Sequence, residues 1–124
     1  MMPEQTSAPF DGRNATITAP NASVDVVAVP EERVFKITRF HVSNNNPAAA
    51  RVRFWDEFTD SDGDVHDAAT NPVLLADYNV QPGESLDVTA ETGLAKAIGK
   101  VIARSTVAGA DPNDVTAGAW GVFE

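Results

Sequence analysis

The stretch Val34–Asp56, VFKITRFHVSNNNPAAARVRFWD, decides the fold class of this chain. Its first part, Val34–Val42, and the run Arg51–Phe58 that continues past its end are rich in β-branched and aromatic residues, which favour strands. Between them stands Asn44-Asn45-Asn46-Pro47, a cluster of turn-forming residues. Two strands joined by such a turn predict an antiparallel pair.

The first of these strands changes its phase part of the way along. Phe35 and Ile37 share one parity, whereas Phe40 and Val42 have the other. Because side chains alternate between the two faces of a strand, all four point inward only if one extra residue intervenes. The pattern therefore predicts a β-bulge or sharp bend near Thr38-Arg39, or else a strand whose halves belong to different sheets.

The rest of the chain continues the strand pattern. Further strands are predicted at Ala15–Ala19, Val24–Val29, Ser85–Thr89, Gly99–Thr106 and Val115–Phe123. Pro82-Gly83 predicts a type II turn, and Glu91–Lys100 a short helical turn, because Leu94, Ala97 and Ile98 have helical spacing. About eight strands with regular turn signals predict an all-β antiparallel sandwich or jelly roll.

The chain divides into an arm and one domain. Residues 1–14 read as a flexible N-terminal arm, because Phe10 is their only bulky apolar residue besides the methionines, and residues 15–124 form the sandwich domain. Phe10 is a candidate interface residue that anchors the arm on a neighbouring subunit. The alternative is a mobile tail without a partner.

Charge and composition exclude several classes of function. The 124 residues carry a net charge of −9 and no cysteine. A surface of this sign repels phosphate backbones, so direct nucleic-acid binding is not expected. No apolar run approaches the ~20 residues of a membrane span, and no secretory signal is seen. Aspartate outnumbers glutamate and lysine is scarce, which suits concentrated salt or simply an ordinary acidic protein.

The strand Arg51–Phe58 offers a candidate interface. Arg51, Arg53 and Trp55 share one parity and are predicted on the outward face. Arginine and tryptophan are enriched at binding hot spots. The alternative is a solvated face on which the arginines pair with nearby acids.

The segment DEFTDSDGDVHD, residues 56–67, is the only candidate metal site. Asp60, Asp62 and Asp64 alternate around Gly63, and carboxylates in a short loop are ligands that Ca²⁺ uses. The spacing does not fit an EF-hand, since no glutamate closes the loop. A solvated acidic loop without a cation is the alternative, and no other cofactor is predicted.

Nothing in the chain predicts catalysis. His41 and His66 are its only histidines, which is too few for a zinc site without cysteine. No nucleophile motif or phosphate-binding glycine pattern occurs. In Val115–Phe123, small residues occupy one parity while Trp120 and Val122 occupy the other. Core packing explains that small face, and a subunit contact is the alternative.

The chain as a whole resembles the small β-sandwich structural proteins of tailed viruses, particularly head decoration (cement) proteins. The stretches that carry the resemblance are ITRFHVSNNNPAAARVRFWD (37–56), VQPGESLDV (80–88) and GKVIARSTVAGADPNDVTAGAWGVFE (99–124). The resemblance implies a non-enzymatic homo-oligomer, with a trimer favoured, that binds the major capsid protein on the virion surface. The acidic composition would suit a virus of a haloarchaeal host.

A second class of function stays open. A carbohydrate- or Ca²⁺-binding module of a viral tail or receptor-binding assembly would use the Asp60–Asp67 loop. An exposed Trp55 or Tyr78 would then serve as a stacking platform for a sugar.

Overall fold

The computed structural model describes residues 11–124, with side chains from residue 13 onward. Phe10 and the rest of the predicted arm before Asp11 lie outside the described residues. Within them the strands are β1 (Asp11–Ile17), β2 (Val24–Ala28), β3 (Phe35–Asn44), β4 (Ala50–Thr59), β5 (Val65–His66), β6 (Leu74–Val80), β7 (Ser85–Thr89), β8 (Ala95–Ala97), β9 (Lys100–Ser105) and β10 (Val115–Phe123). No helix occurs among residues 11–124.

The strands form two antiparallel sheets. In the first sheet the order is β1-β10-β3-β7, with β8 also paired to β3; in the second it is β2-β9-β4-β5, with β6 also paired to β4. The chain passes repeatedly from one sheet to the other, and this strand order is that of a jelly roll. The predicted all-β sandwich is confirmed. Residues 11–124 form ten strands, where the sequence predicted eight or so. Three strands, β5, β6 and β8, match none of the segments named from the sequence; β5 and β8 have only two and three residues, too few for a periodic signal.

Strand β1 begins earlier than the sequence predicted. Residues 11–14, which the sequence assigned to the arm, pair with β10, from Asp11 opposite Gly121 to Asn14 opposite Gly118. Backbone groups on the edge of β10 bond to any extended segment, whatever its side chains. The polar composition that indicated an arm therefore did not prevent these residues from joining the sheet.

The core lies between the two sheets and is centred on aromatic contacts. Phe40 of the first sheet and Phe54 of the second have ring centroids 4.7 Å apart, and both side chains are fully buried. Phe35 and Phe123 form a second pair at 5.1 Å. Burying one phenylalanine contributes about 1.5–3 kcal/mol. The Phe40–Phe54 pair holds the two sheets face to face, whereas Phe35 and Phe123 are neighbours within the first sheet.

The predicted bulge in β3 is confirmed. Arg39 lies opposite Trp120 and Ile37 lies opposite Gly121, which leaves Thr38 as one extra residue on β3. Thr38 and Arg39 are consequently both partly exposed, while the apolar residues on either side of them stay buried. The strand remains within the first sheet, so it does not cross between layers.

One turn prediction is confirmed and the helical prediction is wrong. Gly83 has φ +76°, and the carbonyl of Gln81 accepts a hydrogen bond from the N–H of Glu84 at 3.1 Å, as the Pro-Gly turn predicts. Glu91–Lys100 forms no helix; its residues Ala95–Ala97 pair with β3 instead. The pairing buries Ala97 against the core, and this tertiary contact outweighs a weak helical spacing. No helix of the described residues has the length and apolar character needed to cross a bilayer.

Candidate functional site

The predicted interface residues of β4 lie on the outer face of the second sheet. Arg51, Arg53 and Trp55 alternate with Val52 and Phe54, which point into the core. Trp55, however, is only 5% exposed, so the prediction of an exposed indole is wrong. Two guanidinium groups cover it, and one of them comes from a strand that is distant in sequence.

The covering groups are Arg53 and Arg104. Their Cζ atoms lie 5.3 Å and 5.9 Å from the ring centroid of Trp55. Strand pairing places Arg53 of β4 directly opposite Arg104 of β9, just as Trp55 lies opposite Ile102. We call Arg53, Arg104 and the Trp55 beneath them the arginine pair surface. The sequence did not predict Arg104, because only the register of β4 on β9 brings it there.

Arg51 differs from the other two arginines because it has an ionic partner. Its Nε and Nη2 donate to Oδ1 and Oδ2 of Asp77 at 2.9 Å and 2.6 Å. This two-point contact with the guanidinium lowers the pKa of Asp77 and raises the pKa of Arg51. For Arg51, the structure therefore agrees with the alternative interpretation of this strand, a solvated face on which arginines pair with nearby acids.

Arg53 and Arg104 have no such partner. Among the side chains that the structure describes, no carboxylate oxygen lies within 4.0 Å of either guanidinium. The Nε of Arg53 is buried without a hydrogen-bond partner, whereas that of Arg104 donates to Oγ of Ser23 at 2.8 Å. Like charges directly opposite each other on neighbouring strands repel. Arg53 and Arg104 contribute to lowering the pKa values of Asp77 and Asp67, but neither guanidinium forms a direct ion pair with these acids.

A second surface of the same kind lies on the outer face of the first sheet. The Cζ of Arg39 is 4.4 Å from the ring centroid of Trp120, and Nε of Arg39 donates to Oδ1 of Asp87 at 2.8 Å. Nδ1 of His41 lies 3.2 Å from the same oxygen. The guanidinium contact, followed by weaker effects that include His41, lowers the pKa of Asp87. We call Arg39, His41, Asp87 and Trp120 the Trp120 surface.

An open groove of about 660 Å³ runs beside the indole of Trp120. Its lining residues are Thr38, Arg39, Thr89, Ala90, Glu91, Trp120 and Val122. The bulge creates this groove, because it turns both Thr38 and Arg39 away from the core. The small residues of β10 pack inward as predicted, with Ala117 and Ala119 fully buried. The sequence signal for the groove was that Trp120 and Val122 share one parity, opposite to that of the small residues Ala117 and Ala119.

The predicted acidic loop brings its three aspartates together. One carboxylate oxygen from each of Asp60, Asp62 and Asp64 lies within 4.8 Å of the others. Oδ1 of Asp60 accepts the backbone N–H groups of Asp62 at 2.9 Å and Asp64 at 3.0 Å. Three carboxylate oxygens are fewer than the six to eight that Ca²⁺ takes, so water would have to complete a cation site.

His66 also contacts this loop. Its Nε2 lies 2.9 Å from Oδ2 of Asp60, its Nδ1 lies 2.9 Å from the carbonyl of Asn71, and its ring stacks on Phe58 at 4.5 Å. The hydrogen bond to His66 lowers the pKa of Asp60, and the same bond raises the pKa of His66. The Asp60 carboxylate thus organises the loop from within.

The remaining sequence candidates are dispersed. Tyr78 packs with its edge toward Phe40 and Phe54, at 6.0 Å and 6.5 Å, and burial raises its pKa, so it is no free platform for a sugar. His41 lies in the first sheet and His66 in the second, so the fold does not bring them into one site. Phe10 lies outside the described residues.

Fold and surfaces together define the class of this protein: a jelly-roll sandwich with arginine–tryptophan surfaces on both outer faces. No protein-family model matches the chain, and the search of curated proteins finds no matching relative.

Proposed function

We propose that this chain is a non-enzymatic virion structural protein, a capsid decoration protein that binds and stabilises the lattice of the major capsid protein. One observation carries the proposal. Each of the two tryptophans, Trp55 and Trp120, lies on the outer face of a different sheet beneath an arginine guanidinium. The protein therefore presents two binding surfaces that point in opposite directions.

Opposite surfaces suit a bridging role. The sheets of a sandwich pack about 10 Å apart, so the two faces remain close while pointing away from each other. A small rigid domain of this shape is able to hold two neighbouring subunits at a fixed spacing. Arginine and tryptophan are also the residues that most often dominate binding energy at interfaces.

The charge distribution indicates the kind of partner. The guanidinium groups of Arg39, Arg53 and Arg104 are local cationic positions on a chain of net charge −9, and they complement carboxylates of a partner protein. The net negative charge opposes direct binding of nucleic acid. We propose that the partner is the major capsid protein. This chain itself forms a homo-oligomer, with a trimer favoured, and is located on the capsid surface after synthesis in the host cytoplasm.

Co-sedimentation with empty shells of the cognate major capsid protein tests the proposal. We expect the wild type to sediment at a fixed ratio to the shell subunits and to raise the temperature at which the shells disassemble. Arg53→Gln and Arg39→Gln should each weaken sedimentation, since each affects one surface. Light scattering on the free protein should give a trimer mass. A monomer that binds no shell contradicts the proposal.

A second candidate function is a Ca²⁺-binding module, which the convergence of Asp60, Asp62 and Asp64 favours. Calorimetric titration with Ca²⁺ tests it directly. A saturable micromolar signal that is lost in Asp62→Ala supports the module. Asp111→Ala, which removes an acid outside this cluster, is the matched control and should leave the signal intact. If titration of the wild type with Ca²⁺ gives no heat of binding, the Ca²⁺-binding function is excluded.

A further inference from the structure

We infer that Arg53 and Arg104 together form a binding site for a carboxylate of an acidic protein segment, with Trp55 as its fixed floor. The inference rests on the proposed function in treating the outer face of the second sheet as a binding surface. It adds the chemistry of the group that is bound there.

The first argument is the direct opposition of the two arginines. Cβ atoms of residues opposite each other on antiparallel strands are about 4.5–5.5 Å apart. Arg53 on β4 and Arg104 on β9 start from such opposite positions and both reach the Trp55 ring, so their positive charges are close to each other and repel. An anion placed between them converts the repulsion into two attractions, so the free surface favours a bound anion.

The second argument is that the nearest acids are already engaged. Asp77, opposite Arg53 on the other side of β4, is held by two hydrogen bonds from Arg51, and Arg53 contributes more weakly to lowering its pKa. Asp67, whose pKa Arg104 helps to lower, accepts the backbone N–H groups of Ala69 and Thr70. Neither carboxylate is within 4.0 Å of either guanidinium of the arginine pair, so a carboxylate in direct contact with both would come from a bound partner.

The third argument is preorganisation. Both guanidinium groups lie over one indole, and Trp55 is itself 5% exposed and fixed opposite the buried Ile102. A ring that is fixed in this way limits the rotamers of the two arginines, which lowers the entropy lost when they bind a ligand. The planar guanidinium fork matches the two oxygens of a carboxylate.

The chemistry of the ligand follows from charge. Carboxylate, phosphate and sulfate all fit a guanidinium fork, but a polyphosphate backbone would meet the net charge of −9 carried by the whole chain. A protein segment meets less repulsion, because it needs to place only one or two carboxylates at the arginine pair while its other residues contact the surrounding surface. The ligand is therefore a glutamate or aspartate side chain in a segment of a partner protein.

A titration with a deca-glutamate peptide tests the inference. Binding is followed by calorimetry and by the fluorescence change of the indole, at low and at high salt. We expect Arg53→Gln and Arg104→Gln each to weaken peptide binding at least 10-fold. Arg33→Gln, which removes the same charge from a residue bound to the carbonyls of Phe123 and Glu124, is the control and should bind as the wild type does. Circular dichroism verifies that each variant is folded.

Three outcomes would overturn the inference: no peptide binding by the wild type, an equal loss in Arg33→Gln, or tighter binding of inorganic phosphate than of the peptide at equal charge. The two arginine variants lie on different strands, so one remains informative if the other does not fold. The outcome is separable from that of the shell experiment. Peptide binding without shell binding refutes only the decoration role. Shell binding that persists in Arg53→Gln and Arg104→Gln refutes only the claim that the arginine pair binds the partner.

Discussion

Asp56 on β4 accepts hydrogen bonds from two successive backbone N–H groups, those of Ile98 at 2.9 Å and Gly99 at 3.0 Å. The carboxylate is 3% exposed, and it links the second sheet to the turn between β8 and β9. Burial raises its pKa against the opposing effect of these two bonds. Asp56, which shares the parity of the core residues Val52 and Phe54, thus anchors the turn between β8 and β9 to β4.

Replacement of Asp56 by alanine should destabilise the fold on the order of 2 kcal/mol, because two buried N–H groups lose their acceptor. Urea unfolding measures the change. Asp56→Asn retains one acceptor and removes the buried charge, so its loss should be smaller. An alanine variant as stable as the wild type would contradict the role of this tie.

Gly99 should tolerate no side chain. A Cβ there would collide with the carbonyl oxygen of Glu57 and lie 2.6 Å from the Cβ of Phe58. We expect Gly99→Ala to lower the urea midpoint strongly. Gly109→Ala, whose nearest neighbour is the Cβ of Asn113 at 3.3 Å, should have a much smaller effect. Equal midpoints for the two variants would show that the two backbones are not in close contact at Gly99.

The pair of His66 and Asp60 should make stability depend on pH. The pKa of His66 is raised in the fold, so its stabilisation is present below about pH 6.5 and is lost as the pH rises through the raised value. The pKa of Asp60 is lowered, so its stabilisation is present above about pH 3.9 and is lost as the pH falls through the lowered value.

The difference in urea midpoint between the wild type and His66→Gln should accordingly be largest between about pH 4 and pH 6.5. It should shrink at alkaline pH, where the imidazole is neutral. A difference that does not vary with pH would rule out an ionic contribution from the Asp60 contact.

Gly118 should control the position of the Trp120 indole. A Cβ at Gly118 would collide with Oδ1 of Asn14 and would lie 2.5 Å from Cη2 and 2.6 Å from Cζ3 of that ring. Gly118→Ala should therefore move the indole outward, increase its quenching by acrylamide, and weaken any binding that uses the groove. Because Trp55 is buried, the change in quenching should come from Trp120. Unchanged quenching would contradict the described packing.

The bulge in β3 allows a deletion test. Without Thr38, the residues from Phe35 to Val42 would alternate continuously between core and surface. The Thr38 deletion should fold, with a loss of about 1 kcal/mol for the hydrogen bond from the N–H of Ala90 to the carbonyl of Thr38. A deletion of His41 reverses the parity of everything on one side of it and should prevent folding. Far-ultraviolet circular dichroism and urea unfolding compare the two.

The sequence predicted the local features that depend on period and turn chemistry. The parity change between Ile37 and Phe40 located the bulge, because a strand has only two faces. The Pro82-Gly83 pair located a turn, because glycine accepts the positive φ that the turn requires. The clustering of Asp60, Asp62 and Asp64 was also predicted, since all three lie within five consecutive residues.

The helical turn at Glu91–Lys100 was predicted wrongly for a physical reason. Leu94, Ala97 and Ile98 have helical spacing, but such a short segment has little helical stability of its own. The unpaired edge of β3 offered backbone hydrogen bonds and a buried position for Ala97. Non-local pairing therefore determined its conformation.

The sequence alone determined the all-β class, the sandwich, the bulge and the turns. Each of these depends on the alternation of apolar and polar residues along a strand or on the backbone preferences of a few residues. What only the tertiary structure decided is which side chains meet. Arg104 lies far along the chain from Arg53, and the register of β9 on β4 places both over Trp55 and buries an indole that parity alone had assigned to the surface. Register arises from pairing across the whole sheet, so no local stretch of sequence encodes it.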